Sequence, residues 1–251
     1  MSFLTNKRAK KALISILSIA LALALIIIAG GIYVSDYYRA DTEAVEAHKE
    51  VCDGYASLEF IDDNIAVFAP EGATSGFIFY PGGKVEFSSY LPLLAECAER
   101  GVLCVIVKMP FNLAVLDVNA ADGIKERFPN IEGWYIGGHS LGGSMAASYV
   151  EKNIDAFDGL ILLGAYSTAN VSDSSLRVLS IYGSEDGVMN REKYEKYKPN
   201  LPDGFTEYVI DGGCHAYFGK YGEQEGDNPA SISADEQIEI TADKIAEFIL
   251  D

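Results

Sequence analysis

With 251 residues, 49% of them hydrophobic, the chain can bury one full-sized core. Its formal net charge is −18, and residues 1–34 hold four basic and no acidic groups, which leaves −22 for the remainder. So acidic a body repels nucleic acid and anionic lipid, excludes nucleic acid as a partner, and says little about the substrate.

From Ala12 to Val34 there is no charged residue, and a run of more than about 18 such residues crosses the hydrocarbon of a bilayer as a helix. Residues 12–34 are therefore expected to form a transmembrane anchor. Lys7, Arg8, Lys10 and Lys11 precede the run and Asp36, Asp41 and Glu43 follow it. That asymmetry predicts a single-pass protein of the cell membrane, with residues 1–11 in the cytoplasm and the rest outside. A cleaved signal peptide has a shorter apolar part, about 7–15 residues, ending in a small-x-small site. Gly30-Gly31-Ile32-Tyr33-Val34 is a poor cleavage region, and Tyr33, Tyr37 and Tyr38 suit the outer interface.

Residues 35–54 read as a juxtamembrane stalk, with a short polar helix over Asp41–Lys49. Residues 55–251 read as one folded domain. Ser57–Phe60 and Ile65–Phe68 flank Asp62-Asp63-Asn64, the pattern of two strands joined by a tight turn. Short, nearly continuous apolar runs then follow at Gly76–Tyr80, Val102–Val107, Trp134–Ile136, Gly159–Leu163, Val178–Tyr182 and Glu207–Ile210. Such runs fit central strands covered on both faces. Helical composition falls between them at Tyr90–Arg100, Ala120–Phe128, Gly143–Lys152 and Arg191–Tyr197, and an amphipathic Ala234–Ile249 closes the chain. The alternation predicts an α/β fold, a mostly parallel sheet between helices.

Gly138-His139-Ser140-Leu141-Gly142 places G-x-S-x-G directly after a strand and at the start of a helix, the context a nucleophile elbow requires. The serine sits on a strained turn, and the positions two before and two after it come too close for side chains. The amide of Leu141, at the helix N-terminus, would face the oxygen that develops negative charge. A serine hydroxyl needs an adjacent imidazole to take its proton. The chain has three histidines: His48 is in the stalk, His139 is directed by the elbow turn, and His215 follows the last predicted strand in Asp211-Gly212-Gly213-Cys214-His215. His215 is the expected base. Tyr182-Gly183-Ser184-Glu185-Asp186-Gly187 supplies the carboxylate that would orient it; Asp186, beside Gly187 on a sharp loop, is preferred, with Glu185 and Asp211 as alternatives. The resulting order Ser…Asp…His is that of α/β-hydrolases. Phe79-Tyr80-Pro81-Gly82-Gly83-Lys84 offers a second oxyanion donor, Gly82 or Gly83.

Residues 55–250 resemble the α/β-hydrolase superfamily. Phe79–Gly83, Lys108–Ala114, Gly138–Gly143, Tyr182–Gly187 and Gly213-Cys214-His215-Ala216 resemble its dienelactone-hydrolase-like branch of membrane-anchored bacterial proteins. The resemblance implies a sheet of about eight strands, hydrolytic activity, and Ser140, Asp186 and His215 as the triad. Dienelactone hydrolases proper use a cysteine nucleophile, whereas this elbow holds Ser140, so a lactone substrate does not carry over. The stretch from Leu163 to Val178 is too short for a lid domain. The site is expected to be fairly open, with Phe111, Asn112, Tyr166, Tyr217 and Phe218 around the substrate.

Cys52, Cys97, Cys104 and Cys214 form no C-x-x-C pair and have no histidine at zinc spacing, so neither a metal nor a cofactor is expected. Any disulfide pairing among them stays open, as does the oligomeric state. The reading is a carboxylic-ester hydrolase taking a small ester-like molecule. Peptidase, thioesterase and acyltransferase chemistry use the same three groups, and a non-catalytic binding protein keeping the fold is the alternative of another class.

Overall fold

The computed structural model describes residues 7–43, 46, 56–62 and 64–251. His48, Cys52 and most of the helix expected over residues 41–49 lie outside them. The chain divides into two units, residues 1–37 and 38–251.

In the first unit, α1 spans Lys7–Ser35. Its stretch Lys10–Ser35 is long and apolar enough to cross a membrane, and nearly all of its side chains are exposed. A helix that is apolar all round and unpacked has no aqueous face, which is what a bilayer accommodates.

The second unit is an eight-stranded sheet: β1 (Ala56–Asp62), β2 (Ile65–Pro70), β3 (Ser75–Tyr80), β4 (Leu103–Val107), β5 (Gly133–His139), β6 (Gly159–Leu163), β7 (Arg177–Gly183) and β8 (Thr206–Ile210). Their spatial order is β1-β2-β4-β3-β5-β6-β7-β8. The two β2 ladders, to β1 and to β4, are antiparallel, and the rest of the sheet is parallel. Side-chain alternation divides the core in two. On β3, Phe77 and Phe79 join one apolar cluster while Ile78 and Tyr80 join the other; on β4, Cys104 and Ile106 oppose Leu103, Val105 and Val107 in the same way. A two-residue period that is apolar on both sides demands helices on both faces.

Helices α2 (Leu91–Glu99) and α5 (Ala234–Leu250) cover the first cluster, and α3 (Leu141–Val150) covers the second. A shorter α4 (Arg191–Tyr197) starts on Asn190, whose side chain caps the Lys193 amide. The helix expected over Ala120–Phe128 does not form; only a 3-10 turn, Lys125–Arg127, is present there. Gly123 is left-handed at φ 74°, and the Ala121 amide donates to the Tyr80 hydroxyl at 2.9 Å instead of to a carbonyl one turn back.

The strand order fixes where a site can be. From β3 the chain crosses to β4 on one side, and from β5 it crosses to β6 on the other, so the connections diverge between β3 and β5. Loops leaving the carboxyl ends of these two neighbours flank a crevice, the usual binding place in an open α/β sheet. Those loops carry Gly82-Gly83 and Ser140.

Candidate active site

Ser140 joins β5 to α3 with φ 51° and ψ −118°, a conformation that L-residues rarely adopt. A serine preceding a helix ordinarily caps it with its own hydroxyl. Here the side chain makes no cap bond, so Oγ is not spent on the helix. The turn closes only because its flanks lack side chains. A Cβ on Gly138 would sit 2.2 Å from the Tyr80 carbonyl oxygen, and one on Gly142 would sit 2.1 and 2.3 Å from the carbonyl oxygens of Tyr80 and Pro81. Both obstacles are backbone, so no rotamer change relieves them.

His215 and Asp186 arrive from the loops after β8 and β7. Nδ1 of His215 lies 2.8 Å from Oδ2 of Asp186, and both side chains are buried. The other oxygen, Oδ1, accepts the amides of Val188 at 2.9 Å and Met189 at 2.7 Å, which turns the carboxylate toward the imidazole. Of the alternatives, Glu185 accepts from the hydroxyl of Ser184, and Asp211 is exposed. Gly164, after β6, links this pair to the serine: it lines the Ser140 cavity, and a Cβ there would stand 3.0 Å from Nδ1 of His215 and 3.2 Å from Oδ2 of Asp186.

The two glycines after β3 have different surroundings. The Gly82 amide donates to the Tyr90 hydroxyl at 3.1 Å, and that hydroxyl lies 2.8 Å from Nδ1 of His139. Gly83 has no such partner among the described residues and faces Leu141, whose Cδ2 a Cβ at Gly83 would meet at 2.8 Å. Leu141 is the first residue of α3, so its amide has no carbonyl one turn earlier to bond. Gly83 thus lies against the Leu141 side chain, and the Leu141 amide is left without a helical acceptor.

The cavity at Ser140 measures about 250 Å³ and is walled by Leu141, Ala165, Tyr166, Val188 and Met189, with Ser144 and Asn190 as polar members. Among the described residues that line it there is no carboxylate, amine or imidazole. Of the residues expected around the substrate, Tyr166 is here, stacked on Tyr197 at 5.8 Å. Phe111 is 64% exposed and lines a separate cleft, and Asn112 binds the Lys84 amide through its carbonyl oxygen. Tyr217 borders a third hollow with Cys214 and Asp227. Phe218 corrects the expectation: it is fully buried, 5.4 Å from the His139 ring, because its 3-10 turn folds it into the core.

Three supporting residues escaped the sequence reading. Gln237, on the first turn of α5, accepts the Cys214 amide at 2.9 Å and donates to the Cys214 carbonyl at 2.8 Å. Asp227 accepts the Gly187 amide at 2.9 Å on Oδ1 and the Ala216 amide at 2.8 Å on Oδ2. The loops behind Asp186 and His215 are thereby tied to one carboxylate. Tyr90 is the third, and burial pushes its hydroxyl far above the usual phenol range. Burial, and secondarily the neighbouring His215, lowers His139, whose ring lies 4.4 Å from that of His215. No local signal in the sequence distinguishes these residues from ordinary loop or helix positions.

Cys97, Cys104 and Cys214 are buried and unpaired with one another by disulfide. Burial first, then Asp227, pushes the Cys214 thiol up to about 12, which leaves it protonated and unreactive at neutral pH. Among the described residues no group of three His, Cys, Asp or Glu side chains assembles as a metal site.

The family model described as "Alpha/beta hydrolase family" matches residues 76–239. No curated protein matches the chain. Among solved structures, a predicted CIB-like hydrolase from Thermoplasma acidophilum is similar at 17% identity and TM-score 0.55, over 76% of this chain and 98% of that one. Est1E from Butyrivibrio proteoclasticus is similar at 14% identity and TM-score 0.55, over 79% and 100%. Est1E with ferulic acid bound gives 13%, 0.57, 80% and 98%. At these identities the likeness concerns the fold. The family match does not extend to the dienelactone-hydrolase-like branch.

Proposed function

The chain belongs to the alpha/beta hydrolase family, and from that premise we propose that it is a serine hydrolase cleaving carboxylic esters of small or medium, uncharged acyl groups. The observation that carries the reading is the buried Asp186–His215 pair at 2.8 Å, beside an elbow whose Ser140 is held at φ 51°.

In the proposed mechanism, Nδ1–H of His215 is held by Asp186, so Nε2 is the basic nitrogen. Ser140 Oγ gives its proton to Nε2 and attacks the ester carbonyl, whose electrons move onto oxygen. The amides of Leu141 and Gly83 donate to that oxyanion, and Gly82 serves the loop instead. When the carbonyl re-forms, the alkoxide leaves with the Nε2 proton and the acyl group stays on Ser140. Water, deprotonated by the same nitrogen, then releases the acid. The uncharged walls of the cavity support an uncharged acyl group, since a charge placed there would lose its hydration without gaining a partner. The apolar α1 supports a membrane tether, with the catalytic domain outside the cytoplasm.

A fluorophosphonate probe should label the full-length chain and fail to label Ser140→Ala. Hydrolysis of p-nitrophenyl esters should accompany labelling. Labelling that persists in Ser140→Ala would move the nucleophile elsewhere; labelling without hydrolysis of any ester would turn the reading toward peptidase or acyltransferase chemistry.

A further inference from the structure

Residues 38–41, inside the segment expected to be a stalk, run as an extended strap on the catalytic domain. Tyr38 forms a parallel bridge with Val85: its amide donates to the Lys84 carbonyl at 2.8 Å, and its carbonyl accepts the Glu86 amide at 2.9 Å. The strap continues through the Ala40 amide, which donates to Oε2 of Glu86 at 3.1 Å, and the Asp41 amide, which donates to the Lys220 carbonyl at 2.8 Å. The loop it grips is the one that presents Gly83.

We propose that this strap is a positioning element of the oxyanion site and that Tyr38 is its central positioning residue. The proposal rests on the reading of Gly83 as an oxyanion donor. Lys84, the next residue, is left-handed at φ 58°, which a lysine adopts only when its surroundings over-determine it. Two hydrogen bonds do so from opposite sides. The Lys84 amide donates to the Asn112 carbonyl at 2.8 Å, and the Lys84 carbonyl accepts from Tyr38. Asn112 is itself left-handed, as is Phe111, so that side of the restraint is also under strain. The strap supplies the other side. Without it the turn can relax toward ordinary backbone and carry the Gly83 amide off its aim.

The Tyr38 side chain reaches the same loop by a second route. Its hydroxyl accepts the Glu225 amide at 3.1 Å, and its ring packs 5.6 Å from that of Tyr221. Tyr221 lies 6.3 Å from Tyr90, and the Tyr90 hydroxyl holds the Gly82 amide. Both amides of the glycine pair are thus placed by contacts that lead back to one residue just beyond the apolar helix. Activity would then depend on residues 38–41 and not only on the domain they precede.

The test uses the full-length chain in detergent with Tyr38→Ala, Ala40→Pro and Tyr38→Phe. Ala40→Pro deletes the amide that binds Glu86, fixes the backbone there in an extended-compatible φ and leaves the aromatic side chains in place, so it covers the case in which Tyr38→Ala fails to fold. The readouts are kcat and KM on p-nitrophenyl butyrate, the melting temperature, and the Ki of a trifluoromethyl ketone, whose tetrahedral adduct carries the oxyanion. Losing an oxyanion donor outright costs about 10²–10³ in kcat, so a displaced donor should cost about tenfold. We expect Tyr38→Ala to lower kcat and weaken the ketone by that same factor, with KM within about twofold of wild type, a smaller effect of Ala40→Pro in the same direction, and recovery of most activity in Tyr38→Phe. Wild-type kcat and Ki in both Tyr38→Ala and Ala40→Pro would overturn the proposal, as would a loss that follows the melting temperature and affects KM as much as kcat. A wild-type chain that neither turns over esters nor takes the fluorophosphonate would overturn the serine-hydrolase reading and this proposal with it.

Discussion

Nδ1 of His215 stands 2.8 Å from Oδ2 of Asp186, and both side chains are shut off from solvent, while the adjacent Glu185 carboxylate turns to Ser184. Asp186→Asn should keep the shape but favour the wrong imidazole tautomer, lowering kcat by about 10³–10⁴. Glu185→Gln should change kcat by less than about threefold, the ordinary result for a loop acid outside the chemistry. Steady-state kinetics on one ester measures both; a crippled Glu185→Gln beside a mild Asp186→Asn would reassign the orienting acid.

Asp227 binds the amides that immediately follow Asp186 and His215. Asp227→Ala removes both acceptors at once, and a misplacement of about 1 Å at the chemistry can cost on the order of 10²-fold. The expected result is a fall in kcat of about 10- to 100-fold with KM little changed, and a smaller fall in Asp227→Asn, which retains one acceptor. Equal kcat in all three proteins would reduce Asp227 to a surface loop residue.

The domain should lose stability in alkali. Cys214 is pushed up to about 12, and Cys104, Tyr80, Tyr90 and Tyr221 are raised far above their usual ranges, in each case mainly by burial. Each raised group stays protonated in the folded state while its unfolded counterpart ionises, so the unfolded state binds fewer protons. This contribution is complete below the ordinary thiol and phenol range and is lost as pH climbs toward the folded values. For Cys214 the window runs from 9.0 to about 12. Urea midpoints should be flat from neutrality to about pH 8.5 and fall steadily above it. Exposed tyrosines will ionise first, but phenolate absorbance that accounts for all 15 tyrosines before unfolding would contradict the burial of Tyr80 and Tyr90.

The charge asymmetry around α1 predicts that protease added to intact cells, or to spheroplasts where an outer membrane intervenes, digests the catalytic domain while a cytoplasmic control survives. Protection until the cytoplasmic membrane is lysed would reverse the topology.

The elbow was legible in the sequence because its pattern is local: Gly138 and Gly142 flank Ser140 within two residues, although the backbone that requires them, at Tyr80 and Pro81, comes from the end of β3. The central strands were legible for the same reason: burial on both faces leaves an unbroken apolar run. His215 emerged by elimination among three histidines. By itself, then, the sequence determined the α/β class, the apolar span and the place of Ser140. Residues 120–128 show the limit, since their helical composition yields to Gly123 and to a hydroxyl brought by Tyr80 from another strand.

Choices between adjacent residues of the same type were left to the tertiary structure. Asp186 and Glu185 are neighbours in the chain, and only the packing of the β7 and β8 loops decides which carboxylate meets the imidazole. Gly82 and Gly83 are equivalent as letters; Tyr90, eight residues on, occupies one amide and not the other. Residues 38–41 carry no mark of the strap they form with Lys84 and Glu86, and Asp227 none of its bonds to the amides of Gly187 and Ala216. Short-range sterics are written into neighbouring residues, whereas hydrogen-bond partners are selected by proximity across the fold, and proximity exists only once the sheet has brought its loops to one edge.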